Sequence, residues 1–202
     1  WLDNNGKTTH IIELRTMLSS EILEENKQRL VELKAVDNYW PLMGSLSAIP
    51  KIPINKSMKK VDNIHGVLID ESLKKQLKIN VGDILNLGKT KIQIRGIILK
   101  EPDRLFSFAT FGSRLLVTKE ALKDSEIIVP GSLVKYKVKF IPTNKNLKLT
   151  SLKNLVQYTN ISIKTVQNST NNFNKFIEKT SLFISFVGLI SLLISGVGIS
   201  NG

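Results

Sequence analysis

The sequence contains no cysteine, and only 6% of its 202 residues are aromatic. The absence of cysteine excludes disulfide bonds and thiolate metal sites, but it is compatible with several cellular compartments. There are only two histidines, His10 and His65, and they are far apart in the sequence without metal-ligand spacing. We therefore expect no metal site, and we expect each histidine to be a surface or strand residue.

Acidic residues are also scarce, with 17 Asp and Glu against 29 Lys and Arg, which gives a net charge of +12. Most of the excess is lysine spread along the chain, and the aromatic residues do not interleave with it as a nucleic-acid stacking surface requires. We therefore expect no nucleic-acid partner. The hydrophobic content of 42% is sufficient for a packed core and argues against disorder.

Motifs of the common catalytic sites are missing. GKTTH at residues 6–10 lacks the first glycine of a phosphate-binding loop and the apolar strand that precedes such a loop. No G-x-S-x-G nucleophile elbow occurs. Asp70 is placed to cap a helix, and Asp83 lies in a Gly-Asp turn. Glu101 and Asp103 flank a proline at a predicted strand end, so we expect no catalytic residue, no cofactor-binding residue and no enzyme activity in this chain.

Alternation of polar and apolar residues predicts strands through much of the chain before residue 170. Residues 30–36 are the clearest case, because Val31, Leu33 and Ala35 form one wholly apolar face. Residues 19–29 are polar and are either a hairpin tip or a short helix, and the proline-rich residues 48–63 are a loop or an edge segment. Further strands are predicted at residues 9–18, 66–69, 84–87, 90–99, 115–117, 132–141 and 161–167.

Short helices are predicted between these strands. Asp70 precedes residues 71–77, where Leu73 and Leu77 give one apolar helical face. A second helix begins near Thr118, and a third is predicted within residues 149–158. No strict strand–helix–strand repeat is present, so the predicted fold class is α+β.

Residues 181–200 contain no charged side chain. A helix of about 20 residues is about 30 Å long, which matches the hydrocarbon core of a bilayer. A buried C-terminal helix is the alternative, but it would usually carry a polar stripe, and this stretch offers only serine. Lysines precede the stretch, where interfacial cations are typical. The sequence therefore predicts a transmembrane helix whose small packing residues are Gly188, Ser191, Ser195, Gly196 and Gly198.

Two segments carry motif-like residues in the first half of the chain. In VELKAVDNYWPLMG, residues 31–44, a strand leads into the pattern V-D-x-x-Y-P-L-x-G, with Trp40 in place of the tyrosine. In residues 66–88, a strand and a helix lead through Gly82 and Asp83 into a further strand. The matching residues of the first segment are Val36, Asp37, Pro41, Leu42 and Gly44.

Two more segments follow in the second half. Residues 101–136 fit E-P-D-R, then G-P-R with Ser113 in place of the proline, then P-G-S-x-V-x-Y. Residues 186–202 fit the ending G-G-V-G-x-x-N, with Ser195 in place of the first glycine. In this order, the four segments resemble the FtsX-like (MacB-type) permease subunits of ABC transporters. The matching residues are Glu101, Pro102, Asp103, Arg104, Gly112, Arg114, Pro130, Gly131, Ser132, Val134, Tyr136, Gly196, Val197, Gly198 and Asn201.

The resemblance implies an extracytoplasmic domain over residues 1–170, between a first membrane helix preceding Trp1 and a second one. Residues 171–202 would be the juxtamembrane segment and that second helix, at the start of the permease domain in the plasma (inner) membrane. The implied partners are a cytoplasmic ATPase subunit, a second permease copy or half, membrane lipid and an envelope protein. The implied role is to couple ATP hydrolysis to movement outside the membrane, for lipid or lipoprotein substrates or for control of an envelope partner.

Two other function classes stay open on the sequence alone. One is a membrane-anchored extracytoplasmic binding domain without a transporter role, which would need no ATPase partner. The other is an anchored hydrolase, which is the weakest because no nucleophile is paired with a base.

Overall fold

The computed structural model describes residues 1–19, 28–102, 113–144, 152, 154, 156–157 and 159–200. The chain divides into two units, Trp1–Lys145 and Asn146–Gly202. The predicted domain boundary at residue 170 falls inside the second unit and stays a prediction.

The described part of the first unit contains nine strands. The strands are β1 Gly6–Ser19, β2 Gln28–Val36, β3 Ser47–Ile49, β4 Lys60–Val61, β5 Ile64–Asp70, β6 Ile84–Leu87, β7 Thr90–Lys100, β8 Ser113–Thr118 and β9 Val134–Pro142. Along the sheet the order is β3-β7-β6-β1-β2-β8-β5-β4, and β9 also pairs with β1. An additional pairing of β5 with β7 closes six of these strands into a ring. The pairs β2–β8 and β5–β7 are parallel, and the others are antiparallel.

Among the described residues of the first unit, four short helices accompany the sheet. Two of them were predicted, the one after Asp70 together with its cap. The side chain of Asp70 accepts a hydrogen bond from the Leu73 amide at 2.9 Å, and Thr118 Oγ1 accepts one from the Ala121 amide at 3.1 Å. Such bonds satisfy amides that the first turn leaves without an intrahelical partner. The helices are α1 Leu2–Asn5, α2 Ile54–Ser57, α3 Glu71–Leu77 and α4 Lys119–Ser125.

Apolar side chains are buried on both faces of the sheet. On one face, Val31, Leu33 and Ala35 of β2 pack with residues of α3 and α4, and we call this the helix-side core. On the other face, Val36 and Leu116 pack beneath residues 37–59, which we call the strap. The strap-side core consists of Ile11, Val36, Trp40, Met58, Leu68, Ile98 and Leu116. The predicted mixed α and β architecture is therefore confirmed for the first unit.

The predicted strand at residues 161–167 is wrong. Residues 161–165 have no regular structure, and a helix begins at Val166. Alternation alone does not make a strand, because a strand also needs a hydrogen-bonded neighbour, and no strand among the described residues pairs with this stretch. The predictions for residues 20–27 and 103–112, and for most of residues 149–158, lie outside the described residues.

The second unit contains α5, Val166–Ser200, a single helix of 35 residues. Its described side chains between Phe176 and Ser195 are exposed. Within the described part of the chain, no helix meets the length and apolarity needed to cross a membrane. The predicted transmembrane segment therefore stays a prediction.

Candidate functional site

Lys34 and Glu101 form a buried ion pair where two of the motif segments meet. Lys34 lies on β2, and Glu101 directly follows the end of β7. Lys34 Nζ lies 2.5 Å from Glu101 Oε1, and the two side chains are only 2% and 1% exposed. A buried charge of either sign is unfavourable without a partner, so each of these residues depends on the other.

Arg114 and Glu32 extend the pair into an ion cluster. Arg114 Nε lies 3.5 Å from Glu101 Oε2, and one terminal guanidinium nitrogen lies 3.7 Å from Glu32 Oε2. The parallel pairing of β2 with β8 places Glu32 opposite Arg114, which explains why these two side chains meet. We call Glu32, Lys34, Glu101 and Arg114 the ion cluster.

Trp40 connects the strap to the ion cluster. Its ring centroid lies 4.6 Å from Lys34 Nζ, in cation–π geometry. Trp40 itself is buried in the strap-side core. The substitution of tryptophan for the expected tyrosine therefore keeps an aromatic face against the lysine.

Gly44 brings the strap against the residue that follows Glu101. Its φ is +76°, and a Cβ at this position would lie 2.7 Å from Pro102 Cβ. Both facts favour glycine, since other residues are strained at this φ and the space is already filled. Together with Lys34–Glu101, this contact joins the motif segment at residues 31–44 to the one that begins at residue 101.

Asp37 holds the start of the strap to β1. Its carboxylate accepts hydrogen bonds from Thr9 Oγ1 at 2.5 Å, from the His10 amide at 2.6 Å and from the Tyr39 amide at 3.1 Å. Burial raises the pKa of Asp37, but the three hydrogen bonds outweigh burial, so the pKa lies below its ordinary value. Asp37 is therefore a structural anion that fixes a turn.

The remaining motif residues lie in separate turns and strands. Gly82 has a φ of +105°, and Asp83 Oδ2 accepts a hydrogen bond from the Asn80 amide at 2.8 Å, as predicted for a Gly-Asp turn. Gly131 has a φ of +90°, and Ser132 Oγ accepts a hydrogen bond from the Val129 amide at 3.0 Å. Tyr136 is exposed on β9. These residues do not belong to the ion cluster and shape their own turns or surface.

The other predicted site residues have no role in the ion cluster or in these turns, or they lie outside the described residues. Pro41 and Leu42 are half-buried in the strap. Asp103 and Arg104 lie outside the described residues. Gly188, Ser191 and Ser195 are exposed on α5, while Gly196 and Gly198 belong to the same helix and their surroundings lie outside what is described.

His65 has a partner that its sequence position does not reveal. It is fully buried on β5, and its Nε2 lies 2.9 Å from Asp124 Oδ2. Lys60 Nζ donates to the same oxygen at 2.7 Å. The pKa of Asp124 is lowered, first by the hydrogen bond from Lys60 and then by the one from His65. This arrangement ties α4 to β4 and β5, and no nucleophile among the described hydrogen bonds joins it.

The geometry favours a structural role for the ion cluster. Its central pair is almost completely closed to solvent. No group of three potential metal ligands occurs among the described residues. The sequence analysis did not identify Lys34 or Thr9 as site residues, because Lys34 looks like one more polar residue of an alternating strand. The one sequence signal for burial of Lys34 was that it shares a strand face with the apolar Val36.

Comparisons with known proteins agree with the motif resemblance. No family model matches the chain. The chain is 24% identical over 140 residues to YbbP, an uncharacterized ABC transporter permease of Escherichia coli (strain K12). That match covers 69% of this chain and 16% of YbbP, so the chain spans a small part of this relative's length.

One solved structure supports the same fold, and a second aligns with a lower score. The periplasmic region of MacB from Actinobacillus actinomycetemcomitans aligns with a TM-score of 0.50 at 15% identity, over 86% of this chain and 76% of that one. The extracellular domain of the noncanonic ABC-type transporter YknZ from Gram-positive bacteria aligns with a TM-score of 0.47 at 14% identity, over 71% and 68%. The predicted resemblance to FtsX-like (MacB-type) permeases, and to their extracytoplasmic domain, is confirmed.

Proposed function

We propose that this chain is part of the permease subunit of an ABC transporter. Residues 1–170 form its extracytoplasmic domain, and residues 171–202 form the juxtamembrane segment and a membrane helix. The match to an ABC transporter permease and the MacB-like fold of the sheet support this proposal. The chain itself hydrolyses no ATP, and a separate cytoplasmic ATPase subunit supplies the energy.

The surface of α5 is the observation that carries the membrane part of the proposal. Residues 181–200 have no charged side chain, and consecutive large apolar residues such as Leu182, Phe183 and Ile184 are exposed. Consecutive positions point in different directions around a helix, so the apolar surface surrounds it on all sides. A lipid environment covers such a surface, and water does not.

The length of α5 suggests how motion is transmitted. At 1.5 Å per residue, its 35 residues extend about 52 Å, and the bilayer core accounts for about 30 Å of this. The remainder, which contains Lys175 and Lys179, continues outside the bilayer as one helix. ATP-driven movement of the membrane helices is therefore carried outward by a rigid rod. The extracytoplasmic domain acts on a lipid or lipoprotein-like substrate or on an envelope partner.

An insertion tests the rod. Two glycines placed after Lys179 in the intact transporter interrupt the helix between its charged and apolar parts, because glycine is a poor helix former. We expect ATP hydrolysis to continue while transport is lost. Two glycines placed after Gly131, in an exposed turn, are the control and leave both activities intact. If ATP hydrolysis still drives transport after the Lys179 insertion, the rod mechanism is wrong.

Partner capture tests the transporter assignment itself. Affinity purification of the full-length protein from membranes is expected to recover an ATPase subunit in constant proportion. Recovery of the permease without any ATPase would favour the membrane-anchored binding domain instead. This outcome is independent of the glycine insertion, which concerns the mechanism alone.

A further inference from the structure

Beyond Asp37 at its start, the strap combines exposed apolar side chains with lysines and has no carboxylate. Residues 38–59 include three lysines and no Asp or Glu. Tyr39, Met43, Ile49 and Ile52 are 75%, 73%, 53% and 43% exposed. Exposed apolar residues close to one another usually mark a surface that something else covers.

The most concentrated part of this surface is residues 49–56, which we call the strap tip. A tight turn forms where the Ile52 amide donates to the Pro50 carbonyl at 2.8 Å, and α2 follows at once. Ile49, Lys51, Ile52 and Lys56 are all exposed along this short stretch. A single turn followed by a single helical turn keeps these four side chains within one small area of the surface.

The inner side of the strap fixes the direction in which the tip points. Met58 is part of the strap-side core, and Ile54 packs against that core. The Ser57 amide donates to the Pro53 carbonyl at 2.9 Å, which holds α2 in place. Ile49 and Ile52 are therefore displayed by a supported backbone.

The lysines of the strap have no ion-pair partner among the described residues. Lys60, just beyond the strap, pairs with Asp124, but Lys51, Lys56 and Lys59 form no ion pair with the residues that the structure describes. The surface is therefore both cationic and apolar. A partner with negative charges spread over an apolar layer would complement this surface. Lysine side chains can lay their aliphatic part on apolar groups while their ammonium groups contact anionic groups.

We propose that the strap tip docks on an anionic phospholipid surface, with Ile49 and Ile52 entering the headgroup region and Lys51 and Lys56 contacting phosphates. An acidic protein is the competing occupant. The lipid surface fits better because apolar and cationic side chains alternate at adjacent positions, as in interfacial membrane anchors. The inference goes beyond the transporter assignment, since it concerns a surface of the first unit and does not depend on α5.

Single-cysteine labelling tests the docking in the full chain, which has no native cysteine. A fluorophore on Asn55→Cys reports from α2 without removing an anchoring residue. A matched probe on Lys75→Cys reports from α3, which covers the opposite face of the sheet. Both variants are placed in nanodiscs of phosphatidylcholine with and without phosphatidylglycerol, with brominated lipid as the quencher.

We expect quenching at Asn55→Cys to be several-fold stronger than at Lys75→Cys when phosphatidylglycerol is present. It should weaken at high salt, because salt screens exposed charges. It should also be largely lost on adding Lys51→Gln and Lys56→Gln, or Ile49→Ser and Ile52→Ser. Circular dichroism of each variant verifies that the fold is retained.

Equal quenching at the two positions would overturn the docking inference. So would a fluorescence response of the Asn55→Cys probe to polyglutamate but not to anionic lipid, which would indicate an acidic protein partner. A third probe, on Leu189→Cys in α5, separates this result from the proposed membrane helix. Quenching at Leu189→Cys without quenching at Asn55→Cys would support the membrane helix and contradict the strap inference. Quenching at Asn55→Cys without quenching at Leu189→Cys would support the strap inference and contradict the membrane helix.

Discussion

The two faces of the sheet are covered by different kinds of chain. On the helix side, α3 and α4 bury leucines in the larger apolar cluster, and Asp124 of α4 contacts the buried His65. On the strap side, an irregular segment covers a smaller apolar cluster, and the ion cluster lies on the same face of β2 and β8. A regular helix covers a sheet with apolar residues that recur at its own period. An irregular strap depends on specific contacts, which here are the Lys34–Glu101 ion pair, the Trp40 ring and the close approach at Gly44.

This difference predicts where substitutions are most harmful. The buried Lys34–Glu101 ion pair lies on the strap side, whereas the helix side has the larger apolar core. The motif segment at residues 31–44 meets Glu101 and Pro102, the start of the next motif segment, on the strap side. We therefore expect the motif residues there to act through the stability and rigidity of the strap.

The largest effect is expected for Glu101→Gln. The substitution removes the carboxylate that pairs with buried Lys34 and lies beside Arg114, and breaking a buried ion pair in this way costs about 4 kcal/mol. Urea unfolding followed by tryptophan fluorescence measures the loss. Glu71→Gln, which removes an exposed ion pair with Lys75 on α3, is the matched control and should change little. Similar losses for the two variants would remove the distinction between the faces.

Leu73→Ala tests the helix side in the same assay. Leu73 is fully buried in the helix-side core, and the cavity left by its truncation is expected to cost about 3 kcal/mol. Leu133→Ala is the control, because Leu133 is 93% exposed and contributes little to the core. A loss larger than that of Glu101→Gln would contradict the predicted order of the two faces.

Gly44→Ala isolates the contact between the strap and Pro102. The new Cβ would lie 2.7 Å from Pro102 Cβ and would force a positive φ on alanine, so we expect a loss of about 2 kcal/mol. Gly131→Ala imposes a positive φ where nothing lies within 4 Å of the new Cβ. The difference between the two variants measures the contact. No difference would mean that the strap moves away from Pro102 without cost.

The smallest effect concerns the start of the strap. Because the folded-state pKa of Asp37 is lowered, its contribution to stability is present above the ordinary carboxyl pKa and is lost as the pH falls through the lowered value. Thr9→Val removes one donor, so the pKa of Asp37 should rise and stability at neutral pH should fall by about 1 kcal/mol. An NMR titration of the Asp37 carboxyl carbon measures the shift.

Thr8→Val is the control for this titration, because the Thr8 hydroxyl donates to Asp3 at 2.8 Å. It should leave the pKa of Asp37 where it is. An unchanged pKa in Thr9→Val would show that the two backbone amides alone hold the carboxylate in its ionised form.

Local signals predicted the helix side well. Asp70 and the pair Leu73 and Leu77 define α3 with its cap, and Thr118 likewise marks the start of α4. The strap side was predicted only as motif residues without contacts. Its partners are distant in sequence, such as Lys34 and Glu101, and no periodicity reports a contact over that separation. The strand predicted at residues 161–167 failed for the related reason that strand pairing is also non-local.

The sequence by itself determined the capped helices, the apolar face of β2, the uncharged stretch at residues 181–200 and the resemblance to ABC permeases. Each of these depends on neighbours within a few residues, where propensity and periodicity act. The tertiary structure decided that β5 and β7 close a ring, that Lys34 is buried against Glu101, and that the strap displays Ile49 and Ile52 beside exposed lysines. These features depend on which distant segments become adjacent, because burial and charge pairing are set by the packed surroundings rather than by the local chain.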